Sequence, residues 1–202
     1  MFVKVCGLRS ADDVRVALEA GADAVGFVLH PASPRYVEPE AARELVALVP
    51  EPTLSVVVVA EHTAADAARL TREIGADVLQ LHGRYTAQDF AVAAAEPVRL
   101  WRATSLADGP DLHVGTYGEE VLLLDSPRAG SGETWDVESL DPRPDGHWLL
   151  AGGLTPDNVA DAVRRIDPWG VDVSSGVEST RGVKDHARIA AFVAAARSVH
   201  TR

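Results

Sequence analysis

Along the chain, apolar residues gather alternately into short continuous runs and into stripes spaced three and four residues apart. The runs predict eight strands: 2–6, 24–29, 54–60, 77–81, 98–102, 120–124, 147–151 and 170–173. The third is a continuous apolar run rich in valine, as expected of a strand covered on both faces. The stripes predict helices between the strands. Ser10 caps the first, with Asp13 three residues on, and Val14, Ala17 and Leu18 form its buried face. The second should start near Pro39 and bury Leu45, Leu48 and Val49. Thr63 and Thr86 cap the next two, which bury Ala67, Leu70 and Ile74, then Phe90, Ala93 and Ala94. After strand seven, Thr155 stands as N-cap and Pro156 at the first helical position, ahead of Val159, Ala162, Val163 and Ile166. Ile189, Phe192, Val193 and Ala196 mark the last helix.

Two units break the pattern. Ser105 to Tyr117 is rich in Gly, Pro and Asp with no clean period, so a fifth helix is short or absent there. A polar loop from Ser126 to Glu133 is followed by Trp135 to Asp145, whose two prolines allow at most a short sixth helix. Strand and helix otherwise alternate throughout, with no linker and no low-complexity tract. That order predicts an α/β fold with a parallel sheet, and eight units suit a single-domain (β/α)8 TIM barrel over residues 1–202. An open doubly wound sheet is the alternative. It usually carries G-x-G-x-x-G after strand one, where this chain has Gly7-Leu8-Arg9.

Composition narrows the class. With 47% hydrophobic and 24% charged residues, the chain has the make-up of a soluble globular protein. No apolar run approaches the roughly 20 residues of a membrane helix, and the N-terminus lacks a signal-peptide plan. One cysteine excludes an internal disulfide framework. A cytoplasmic location is expected, with no membrane partner. A net charge of −11 argues against nucleic acid as a partner, but not against a small anion held by a few local cations.

In such a barrel the chemistry stands at the C-terminal strand ends. Two successive ends there finish in small-residue turns, Gly152-Gly153 and Ser174-Ser175-Gly176, which suit a phosphate held by backbone N–H groups. The plainer reading is that these glycines only turn the chain. Cys6, Arg35, His82, Asp125 and Asp172 are the polar or titratable groups at or near the same ends. A lone cysteine is commonly a small buried hydrophobe, a strand-end Asp a turn cap, and a histidine after a buried strand a hydrogen-bonded structural residue. Lys4 points to the same side as Cys6, and barrel closure would set it beside Asp172 as an ion pair, structural or catalytic. The histidines show no metal-ligand spacing.

Taken in order, Lys4-Val5-Cys6-Gly7-Leu8, Gly26-Phe27-Val28, Ser33-Pro34-Arg35, Gln80-Leu81-His82-Gly83 and Leu124-Asp125 carry a resemblance. Ala151-Gly152-Gly153-Leu154, Asn158-Val159 and Val171 to Glu178 extend it across the chain. The set resembles the phosphoribosylanthranilate isomerase family of tryptophan biosynthesis. The resemblance implies a barrel without cofactor that performs an Amadori rearrangement on a small phosphosugar. It places a general base on Cys6, a general acid on Asp125, a substrate contact on Arg35, and phosphate contacts on Gly152, Gly153, Ser175 and Gly176. His82 and Asp172 are further expected to face the substrate. After the strand-six aspartate the family tends to carry Gly-Gly-x-Gly, where this chain has Ala129-Gly130-Ser131-Gly132. A histidine-pathway phosphosugar isomerase would use aspartates at both catalytic ends, so Cys6 speaks against it. A non-catalytic binding barrel has no need of an acid and a base. Monomer and homodimer both stay open.

Overall fold

Successive side chains of a strand point to opposite sides. In the computed structural model, which describes residues 1–125, 140 and 143–199, that rule sorts the buried apolar residues into two separate clusters. One contains Cys6, Val56, Val78, Trp101, Leu123 and Leu149. The other contains Val5, Phe27, Val57, Leu79, Leu122 and Val171 together with the helix stripes. A sheet closed on itself produces this division, because every strand then has an inside and a helix-covered outside.

The strands are β1 (Phe2–Cys6), β2 (Ala24–Val28), β3 (Leu54–Val59), β4 (Val78–His82), β5 (Arg99–Ser105), β6 (Val121–Asp125), β7 (Trp148–Leu150) and β8 (Gly170–Val173). They pair in chain order as a closed barrel. All eight pairings are parallel, and β8 returns to β1 with Lys4 opposite Asp172.

The first helices form where their caps stand. Ser10 accepts from the Asp13 N–H ahead of α1 (Ala11–Ala20), and Thr63 from Asp66 ahead of α3 (Ala64–Ile74). Thr86 and Asp89 make a reciprocal capping box for α4 (Ala87–Ala93). α2 (Pro39–Val46) begins at its proline but stops earlier than its apolar stripe suggested. Leu48 therefore lies beyond the cap and is 48% exposed rather than buried, while Val49 packs partly on the core. Ala94 is likewise an exposed cap residue of α4 and not part of its buried face.

The helix after β7 also departs from expectation. α5 (Val159–Ile166) has Asn158, not Thr155, as N-cap, and Pro156 lies in the preceding turn. The cause is the Asn158 side chain. Its Oδ1 accepts from the Thr155 N–H at 2.8 Å and its Nδ2 donates to the Gly153 carbonyl at 2.9 Å. The Thr155 carbonyl still accepts the first helix-like bond, from the Val159 N–H. α6 (His186–Arg197) buries Ile189, Phe192, Val193 and Ala196 as its stripe requires.

Between β5 and β6 a 3-10 turn at Leu106–Asp108 replaces a fifth helix. The loop from Ser126 to Glu133, its Ala129-Gly130-Ser131-Gly132 run and most of the sixth-helix segment lie outside the described residues. One element was not anticipated: an antiparallel hairpin of β9 (Glu178–Thr180) and β10 (Val183–Lys184) between β8 and α6. Among the described residues, no helix is long and apolar enough to cross a membrane.

Candidate active site

The C-terminal ends of the strands surround a cavity of about 790 Å³. That volume suits a drug-sized ligand. β1 brings Cys6 to its wall, β4 His82, β6 Asp125 and β8 Asp172, and the β2–α2 loop adds Arg35. Gly152, Gly153, Ser175 and Gly176 complete the set, so the fold gathers every site residue expected from sequence around one space. Cys6 and Asp125 stand on strands that are not neighbours in the ring, which leaves room between them for a ligand.

Lys4 lies behind Cys6, fully buried, and its Nζ donates to Asp172 Oδ1 at 2.8 Å. Gly26 on β2 makes room for this arrangement. A Cβ there would come within 2.9 Å of Cys6 Sγ and 3.3 Å of Lys4 Cε. Burial alone would lower the lysine's pKa, but the Asp172 carboxylate and Cys6 outweigh it and leave the ammonium raised. Burial pushes the Cys6 thiol up, and with Asp172 it outweighs the opposing Lys4 and Lys184, leaving the thiol raised. Burial lowers His82, and Lys4 lowers it further, which favours a neutral imidazole.

The two small-residue turns pack backbone against backbone. A Cβ on Gly176 would run into the Leu154 carbonyl, so only glycine allows the approach. Gly152 and Gly153 adopt φ of 83° and 70°, the left-handed region. The N–H groups of Gly152, Gly153, Ser175 and Gly176 donate to no acceptor among the described residues. Four unengaged donors on residues that line one cavity suit an anion, and Arg188 stands behind them, its Nη2 donating to the Gly176 carbonyl at 3.1 Å.

Arg35 is not a loose cation. Its Nε donates to Glu178 Oε1 at 2.6 Å and its Nη2 to Glu178 Oε2 at 3.0 Å. Lys184 Nζ donates to the same carboxylate at 3.1 Å and to the Ser174 carbonyl at 2.9 Å. Ser174 Oγ in turn donates to the Cys6 carbonyl at 3.1 Å. Glu178, Lys184 and Gln80 were missed from sequence. Gln80 projects into the barrel, 2% exposed, with its Oε1 unpartnered among the described residues. The one signal for Glu178 and Lys184 was Gly182, a turn residue between two short stretches. Among the described residues, no group of three or more His, Cys, Asp or Glu side chains is placed to hold a metal ion.

Comparison with known proteins points one way. Residues 3–195 match the family model described as N-(5'-phosphoribosyl)anthranilate (PRA) isomerase. A relative from Dechloromonas aromatica, named N-(5'-phosphoribosyl)anthranilate isomerase, is 43% identical over 202 residues, covering 96% of this chain and 95% of its own. The crystal structure of TrpF from Jonesia denitrificans is similar with a TM-score of 0.93 and 57% identity, over 98% of this chain and 97% of that one. A phosphoribosyl anthranilate isomerase solved in complex with reduced 1-(o-carboxyphenylamino)-1-deoxyribulose 5-phosphate is 30% identical with a TM-score of 0.85, over 98% of this chain and all (100%) of that one.

Proposed function

The chain belongs to the N-(5'-phosphoribosyl)anthranilate isomerase family, and from that premise we propose how its cavity performs the family's reaction. The activity is isomerisation of N-(5'-phosphoribosyl)anthranilate to 1-(2-carboxyphenylamino)-1-deoxyribulose 5-phosphate in tryptophan biosynthesis. We assign Asp125 as general acid and Cys6 as general base. The anilino nitrogen lone pair forms C1=N while the bond from C1 to the ring oxygen breaks, and Asp125 gives that oxygen a proton. Cys6 then removes the proton on C2 as thiolate, the electrons moving into C1=N to give an enaminol. Return of a proton to C1 and loss of the enol proton leave the ketone, so no atom is gained or lost.

The observation that carries this reading is the convergence of Cys6, from β1, and Asp125, from β6, on one cavity whose neighbouring wall is the amide cradle. Lys4 and Lys184 oppose the effect of burial on the thiol and so favour the thiolate the step needs. The cradle takes the substrate phosphate, Arg35 its carboxylate, and His82 and Asp172 face the sugar. A neighbour of the same fold was solved with the reduced phosphosugar product. All of these residues come from one barrel, so the assigned chemistry needs no residue from a second copy. The location that fits a biosynthetic enzyme of this make-up is the cytoplasm.

The test is direct. Anthranilate fluorescence of the phosphoribosyl substrate should fall in proportion to added protein. A signal that stays constant at micromolar protein would overturn the assignment.

A further inference from the structure

Glu178 is a heavily engaged side chain at the cavity wall, and the mechanism above does not use it. Its carboxylate is 5% exposed and receives four donors. Oε1 takes Arg35 Nε and Lys184 Nζ, while Oε2 takes Arg35 Nη2 and the Gly182 N–H at 3.0 Å. Two oxygens with four acceptor sites are therefore filled. The carboxylate has no freedom to swing.

Neither does its hairpin. Arg9 Nη1 donates to the Pro34 carbonyl at 3.2 Å and to the Gly182 carbonyl at 3.3 Å, joining the β2–α2 loop to the β9–β10 turn. The Arg35 stem packs on the backbone just past Cys6, with Cδ 2.6 Å from where a Cβ on Gly7 would stand. Arg35 is thus fixed at both ends, by Gly7 under its stem and by Glu178 on its fork.

A guanidinium carries five N–H donors. Glu178 occupies the side formed by Nε and Nη2. The end formed by Nη1 and the second Nη2 hydrogen has no acceptor among the described residues, and Arg35 lines the cavity. That end presents two parallel donors, the match for one carboxylate. Two cations share one anion here, so one positive charge is left over to attract it.

Resting on the reaction assigned above, we propose that Glu178 is a positioning residue: it locks Arg35 so that its free end selects the aromatic carboxylate of the substrate. Specificity then lies in a preset fork and not in the charge of Arg35 alone. A flexible arginine would have to be ordered on binding, and that cost would appear in KM.

The competing expectation is that Glu178 masks Arg35 and must be displaced by substrate. The two differ in sign. Glu178→Gln keeps the shape but offers one acceptor oxygen and turns a donor toward the other arm of the fork. If Glu178 positions Arg35, KM for N-(5'-phosphoribosyl)anthranilate should rise about tenfold or more with kcat little changed. A parallel substrate carrying aniline in place of anthranilate, with no carboxylate, should show the same kcat/KM in wild type and variant. In an Arg35→Lys background, Glu178→Gln should add nothing further.

An unchanged or lower KM in a variant that stays folded at the assay temperature overturns the proposal. If wild type itself does not distinguish the two substrates, the carboxylate reading of Arg35 falls, and this proposal with it. If wild type distinguishes them and Glu178→Gln does so equally well, only the role of Glu178 falls. Glu178→Asp, which keeps the charge and shortens the reach, gives the same test with a smaller rise in KM should the amide variant be too unstable.

Discussion

Replacing Lys4 with methionine would remove the ammonium from inside the barrel and leave the side chain's bulk nearly unchanged. Lys4 is fully buried and Asp172 is 8% exposed, with 2.8 Å between Nζ and Oδ1. The surviving carboxylate would stay behind without its counter-charge, a loss of about 3–5 kcal/mol for a buried pair. In a domain of this size Tm moves about 2–4 °C per kcal/mol, so it should fall by about 6–20 °C. Removing both partners, with Lys4→Met and Asp172→Leu together, should recover most of that loss. The sign with pH follows from the raised Lys4 pKa. Its contribution is complete below the ordinary value of 10.5 and is lost as pH rises through the higher folded value. The Tm difference should therefore be flat across neutral pH and shrink only in strong alkali. A second readout is alkylation of Cys6, the one cysteine. Burial raises its pKa and Lys4 opposes that, so Lys4→Met should shift the alkylation midpoint to higher pH. Wild-type melting together with an unmoved alkylation profile would refute the reasoning for this pair.

Three further outcomes are expected. Cys6→Ser and Asp125→Asn should each lower kcat by about 10²–10⁴ with little change in melting, and near-wild-type turnover in either folded variant would remove that residue from the acid–base pair. Gly176→Ala must push the Leu154 carbonyl away, so KM should rise and inhibition by inorganic phosphate weaken, as a fluorescence assay with added phosphate would register. Glu178 is raised by burial, but Arg35, the Gly182 N–H and Lys184 bring it below its ordinary 4.5. Its stabilisation is present above that value and is lost as pH falls through the lower folded one. Melting in acid should then decline more steeply for wild type than for Glu178→Gln; parallel curves would contradict this.

Much of the barrel was legible because its causes are local. Apolar runs, Ser and Thr caps and stripes such as Ile189, Phe192, Val193 and Ala196 depend on neighbours a few residues away. Strand ends then point to the cavity by topology, which is why Cys6, His82, Asp125 and Asp172 fell together. What was missed depends on distant partners. Arg35 meets Glu178 across 143 positions of sequence, a pairing that exists only once β8 has closed on β1. Lys184 belongs to a hairpin whose strands are too short and polar to show alternation. The shifted start of α5 has a different cause. Thr155-Pro156 is a good helix opening by propensity, but the Asn158 side chain bonds both Thr155 and Gly153 and ties that segment to the cavity wall.

A chain with net charge −11 that handles an anionic substrate must ration its positive charge. Around Cys6 and Arg35 stand three lysine or arginine cations with carboxylate partners, Lys4, Arg35 and Lys184, against Asp172 and Glu178. Among these paired groups one positive charge is left over, while Arg181 also lines the cavity and Arg188 donates to the Gly176 carbonyl. The paired groups alone are too few to neutralise a phosphate and a carboxylate together. The phosphate wall resolves this with dipoles, since amides of Gly152, Gly153, Ser175 and Gly176 need no counter-ion when the site is empty. Side-chain charge can then be kept for the two tasks amides serve poorly. Lys4 favours a thiolate inside the barrel, and the Arg35 fork selects a planar carboxylate at its mouth. On this division, added salt should weaken carboxylate-dependent discrimination more than phosphate affinity, because the half-open fork relies on a screened net charge while the cradle relies on fixed hydrogen bonds. Measuring KM for the substrates with and without the carboxylate as ionic strength rises decides it. An equal rise for both would show that the cradle, too, depends on long-range charge.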